Sequence, residues 1–128
     1  MFGPIEIPFD SVMLFNVIKL KPETNFEDVE MAVAEMCSIV KESYSDEEGG
    51  FIAGQVMKFS GFVSDVGSIS NYGDEGEHLA IVTYWKSYSH HEKSHLDAVF
   101  NEKFSELSEM CLDSKELGYE ILWQGMKN

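Results

Sequence analysis

Residues 51–85 read FIAGQVMKFSGFVSDVGSISNYGDEGEHLAIVTYW. The first part, 51–63, is apolar on both alternating faces, which suggests a long strand buried on at least part of both sides. Residues 78–85 (HLAIVTYW) form a second strand. Between them, Ser64–Glu77 holds three glycines, four acidic residues and no periodicity, so it reads as an exposed loop and a candidate lid. Two strands in succession, with no helix between them, form the centre of the fold.

Working outward, residues 11–21 (SVMLFNVIKLK) are rich in β-branched and aromatic types and stop at Pro22, a first strand. Thr24 and Glu27 carry a capping-box spacing. Phe26, Val29, Val33, Met36, Cys37, Val40 and Tyr44 then recur at three- and four-residue steps, which predicts a helix over 25–44. On the other side, Ser87 or Ser89 can cap a helix over 88–111 whose stripe is Leu96, Val99, Phe100, Phe104, Leu107, Met110 and Cys111. The run LGYEILWQG (117–125) supplies the last strand. The order β-α-β-β-α-β is the ferredoxin-like unit: a single α+β domain over 1–128, with a four-stranded antiparallel sheet and both helices on one face.

The strands are apolar on both sides, so the uncovered face needs a partner. With no internal repeat to supply it, the expectation is a homodimer or higher homo-oligomer whose sheets close into a dimeric α/β barrel. The formal charge is -14, from 9 Lys+Arg against 23 Asp+Glu. Such an acidic surface repels phosphate backbones and anionic lipid, which disfavours nucleic acid and membrane as partners and leaves a small-molecule substrate. No apolar run is long enough for a membrane span, and the N-terminus lacks the pattern of a secretory signal. Cys37 and Cys111 read as free thiols, and the expected location is cytoplasmic.

Three of the four histidines, His90, His91 and His95, fall in SHHEKSH. His91 and His95 are one helical turn apart and could share one metal ion in an H-E-x-x-H string. They lie off the stripe of Phe100, Phe104 and Leu107, however, and Glu92 sits where a cap from Ser89 would want it, so hydrated histidines on an exposed helix are the alternative. Glu120, a charge inside an apolar strand, is a candidate third ligand, because a buried carboxylate needs a cation or a metal; simple exposure at the sheet edge is its alternative. Two histidines and one carboxylate form an open-sided iron site. Cys37, on the apolar side of the first helix, reads as a core residue.

Together, Tyr84-Trp85-Lys86, His91-Glu92-x-x-His95, the aromatic helix running to Cys111 and Tyr119-Glu120 resemble the N-terminal half of the sulfur oxygenase/reductases, non-haem iron enzymes acting on elemental sulfur. The resemblance implies mononuclear iron held by His91, His95 and Glu120, and oxidation of sulfur or a small sulfur compound with dioxygen. It also gives Cys37 a catalytic role as a persulfide anchor. That family's chains are more than twice as long, with two such units in one barrel. Four other readings compete. One is a zinc hydrolase with Glu92 as base. Two are dimeric-barrel monooxygenases, cofactor-free or haem-degrading. Asn16 matches the asparagine of the haem-degrading proteins, but Ser94 and Phe104 stand where they have Trp and His. The last is a non-enzymatic barrel that binds a small apolar ligand.

Overall fold

The computed structural model describes residues 2–127 except 70, 72 and 74–76. Strand β1 (Val12–Leu20) leads to helix α1 (Phe26–Ser43), then β2 (Phe51–Lys58) and β3 (His78–Trp85). Helices α2 (Tyr88–Ser94) and α3 (Ala98–Ser108) precede β4 (Cys111–Glu120). The sheet order is β2-β3-β1-β4 and every pair is antiparallel, so the ferredoxin-like α+β class is as expected.

Helix α1 starts one residue later than the Thr24 reading. Asn25 accepts from the Asp28 N–H while the Asp28 carboxylate accepts from the Asn25 N–H, a reciprocal capping box. Its buried residues Val29, Ala32, Val33, Met36 and Val40 pack on the sheet face formed by Leu14, Ile18, Leu20, Leu79, Ile81 and Trp85.

Three boundaries differ from the sequence reading. β2 ends at Lys58 rather than 63, because the chain leaves the sheet after Phe59, whose N–H bonds the His78 carbonyl. It then folds on itself through a Val63–Ile69 bridge. The candidate lid thus begins as a small hairpin, and residues 70, 72 and 74–76 of it lie outside the described residues.

The single helix over 88–111 is two helices. The chain bends at His95–Asp97, where N–H groups of His95, Leu96 and Asp97 bond carbonyls three residues back, and Asp97 restarts the helix by accepting from Val99 and Phe100. β4 begins at Cys111, six residues before the expected start, and ends at Glu120. Its Asp113, Ser114, Lys115 and Glu116 look like a loop in sequence, but β4 pairs only with β1, and an edge strand tolerates polar residues.

The other sheet face carries Met13, Phe15, Val17, Tyr84, Leu117 and Tyr119, and the helices do not cover it. Leu117 and Tyr119 remain 42% and 49% exposed. No helix among the described residues is long and apolar enough to cross a membrane.

Candidate functional site

Helix α2 is short and firmly ended. Ser87 caps it through a hydrogen bond from the His90 N–H. At the other end the buried Ser94 hydroxyl donates to the His91 carbonyl at 2.6 Å, and the Asn101 amide donates to the His95 carbonyl at 3.0 Å. Both fix the backbone that carries His91 and His95.

The two imidazoles meet over β4. Their Nε2 atoms are 3.0 Å apart, and each reaches the same Glu116 oxygen, at 3.0 Å from His91 and 3.4 Å from His95. Glu116 lies opposite Asn16 in the β1–β4 register, on the helix-facing side, and the Asn16 side chain also hydrogen-bonds it. Burial alone would push the Glu116 carboxyl up. The bonds from His91, His95 and Asn16 outweigh it and hold the group well below the usual carboxylate range. The same contact raises His95 against the opposing effect of its partial burial.

Aromatic rings frame this cluster. Trp85, 1% exposed, meets His91 edge-on at 5.4 Å, and Phe100 lies 5.7 Å from His95. Trp85 donates from Nε1 to the Thr83 hydroxyl at 2.8 Å and packs against Tyr44 and Phe51. The Tyr44 hydroxyl donates to Asp97 at 2.7 Å, which ties α1 to the start of α3. Burial, then this bond to Asp97, pushes the phenol up to about 12.

Of the residues singled out in sequence, His91 and His95 come together and Glu120 does not join them. Glu120 pairs with Val12 at the end of β4, four residues beyond Glu116, which is about 13 Å along a strand. It borders a surface recess with Ile7, Tyr119 and Trp123 instead. Cys37 packs at the edge of the main core cluster, where burial pushes its thiol up, away from the thiolate a nucleophile needs. Glu92 is exposed. The residue missed in sequence is Glu116. Its signal was period two: Glu116, Gly118 and Glu120 share one face once β4 is known to start early.

His91, His95 and Glu116 present ligand-type atoms within 4.8 Å of one another. Their nitrogen and oxygen atoms also satisfy each other as a hydrogen-bonded acid–base cluster. An imidazole that donates from Nε2 to this carboxylate keeps Nδ1 as its proton-accepting nitrogen.

No protein-family model and no curated protein matches the chain. Solved structures do match its fold. A single-residue variant of SnoaB, a cofactor-independent oxygenase from Streptomyces nogalater, superposes with a TM-score of 0.64 at 10% identity, covering 90% of this chain and 96% of that one. A protein from Caulobacter crescentus assigned as an antibiotic biosynthesis monooxygenase gives 0.64 at 10% identity, over 88% and 91% of the two chains. One from Bordetella bronchiseptica with the same assignment gives 0.63 at 13%, over 88% and 98%.

The fold is therefore the ferredoxin-like α+β architecture, shared with SnoaB and with the two proteins assigned as antibiotic biosynthesis monooxygenases. This corrects the resemblance to sulfur oxygenase/reductases, together with the sulfur chemistry and the mononuclear iron that it implied, and the zinc alternative drawn from the H-E-x-x-H string. Of the structures named, SnoaB is a cofactor-independent oxygenase and the other two are assigned as antibiotic biosynthesis monooxygenases. The physical reason lies in the motifs. Tyr84-Trp85 alternates between the open face and the core, as any strand would, and Glu120 stands well away from the histidines.

Proposed function

We propose that this chain is a cofactor-independent oxygenase of small organic molecules, working as a homodimer, with the His91–His95–Glu116 cluster as its acid–base centre. The observation that carries the reading is the pair of imidazoles on one ionised carboxylate, beside Trp85 and Phe100, within a fold shared with SnoaB.

Dioxygen reacts slowly with closed-shell organic molecules, so an oxygenase without a cofactor needs a substrate that becomes electron-rich when deprotonated. The protein's task is then to take a proton and hold the anion. His95 is the more accessible imidazole, with 45% of its side chain exposed against 14% for His91. Anchored by Nε2–H on Glu116, His95 offers Nδ1 to a substrate C–H or O–H. Glu116 stabilises the imidazolium that forms, as a carboxylate hydrogen-bonded behind a histidine base does. The substrate's electron pair passes to dioxygen. For a methylene substrate, one oxygen atom enters the product as a carbonyl and the other leaves as water, the methylene carbon supplying all four electrons.

The dimer is supported by the half-exposed apolar residues of the open sheet face. The test is oxygen consumption by chelator-treated protein across a panel of phenols and 1,3-dicarbonyl compounds. Turnover should persist without metal and fall about 10²-fold or more in His95→Ala. Turnover that appears only on adding a metal overturns the reading.

A further inference from the structure

His90 and Tyr88 take no part in the cluster, yet both rings lie on glycines of the sheet framework. Gly50, at the entry to β2, has φ +71°, and a Cβ there would collide with the His90 ring. Gly118, in β4 two residues from Glu116, would place a Cβ 3.0 Å from the Tyr88 ring. The ring of His90 is held from its other side by the Ser87 hydroxyl, 2.7 Å from Nδ1, and the Gly50 carbonyl accepts from the Lys86 N–H at 2.9 Å.

Helix α2 has only seven residues, too few to hold its own orientation, so its docking must come from side chains. The two rings touch different strands at opposite edges of the sheet, β2 and β4. Two separated contacts fix both the height and the tilt of a short helix, where one would leave it free to pivot.

We infer that Tyr88 and His90 are positioning residues, docking α2 on the bare backbone of Gly118 and Gly50 so that His91 and His95 reach Glu116. The inference rests on the proposed acid–base role for its functional meaning, but its geometry is testable without turnover. A side chain at either glycine presses on the ring above it: at Gly50 a Cβ would overlap the His90 ring, and at Gly118 the Tyr88 ring must give by a few tenths of an ångström. A 3.0 Å hydrogen bond stretched by such a shift weakens. Of the two, Gly118 is the sharper test, since the three atoms nearest a methyl group there all belong to Tyr88, whereas Gly50 also has the positive φ that favours glycine.

The experiment is NMR of the His91 imidazole C–H signals, which the edge-on contact with Trp85 displaces from their free position. In Gly118→Ala these signals should move toward the free position, with the far-UV circular dichroism unchanged. Tyr88→Ala alone, which removes the contact without adding an atom, should move them as well. Signals unchanged in Gly118→Ala, or unchanged in Tyr88→Ala, overturn the inference. Should Gly118→Ala not fold, His90→Ala adds no atom and tests the other contact: the His91 signals should again move, and constancy overturns the inference. Absence of oxygenase turnover in the wild type would count against the acid–base reading and leave this result standing.

Discussion

Asn16 and Glu116 face each other across β1 and β4, and the Asn16 side chain joins His91 and His95 in hydrogen-bonding the Glu116 carboxylate. An anion that receives several donors inside a half-buried site stays ionised, and an ionised Glu116 keeps a histidine basic beside it.

Replacing Glu116 by Gln keeps the shape and removes the charge. His95 should then titrate closer to its ordinary value in an NMR pH series, and turnover should fall by about 10² or more, as for loss of a general base's electrostatic partner. Glu120→Gln should change neither. Equal effects of the two substitutions would mean that the β4 register is wrong.

The same contact shapes stability against pH. Glu116 has its folded value depressed, so its bonds stabilise the fold above the unfolded carboxylate range near about pH 4.3, and that stability is lost as pH falls toward the depressed value. His95 is raised, so its contribution is complete below about pH 6.5 and is lost as pH rises through its folded value. Thermal midpoints should be highest between these limits, and Glu116→Gln should flatten both limbs. A wild-type and variant pair with parallel profiles would contradict this.

Much of this could be read in the sequence, and the failures have physical causes. The β-branched and aromatic enrichment of 11–21 and the apolar run of 78–85 mark strands, and the 3.6-residue recurrence from Val29 to Val40 arises from burial of one helix face, so strands β1 and β3, helix α1 and the βαββαβ order are visible. Helix two was read as continuous because Leu96 fits the apolar stripe. Asp97, a strong N-cap residue, was the sign of a second start. Glu116 was hidden because an edge strand has no need of apolar residues on every position, so Asp113–Glu116 carried no strand signal. Glu120 attracted attention by its apolar neighbours, but convergence on the histidines is a matter of register, which the sequence does not display.

Tyr44 and Asp97 couple α1 to the turn between α2 and α3. Tyr44→Phe removes one hydrogen bond and should cost about 0.5–1.5 kcal/mol in urea unfolding. Asp97→Ala removes that bond and the α3 cap together, a further cost of about 1 kcal/mol. The double variant should be less destabilised than the sum of the two, since both delete the same contact. Strict additivity would show that the bond does not form in solution.

The open sheet face gives a prediction for assembly. Leu117→Lys with Tyr119→Lys puts two charges on β4 where the protomer leaves its side chains half exposed. Sedimentation should change from dimer to monomer with the circular dichroism retained. A wild-type protein that is already monomeric at micromolar concentration would remove the dimer.

The most direct measurement is dioxygen consumption, with product identified, by protein stripped of metal with chelator and checked by elemental analysis, in wild type and in His95→Ala. Undiminished turnover in the stripped wild type, lost in His95→Ala, is the expected result. Turnover that vanishes on stripping and returns with stoichiometric metal, or that survives intact in His95→Ala, would contradict a cofactor-independent centre built on His91, His95 and Glu116.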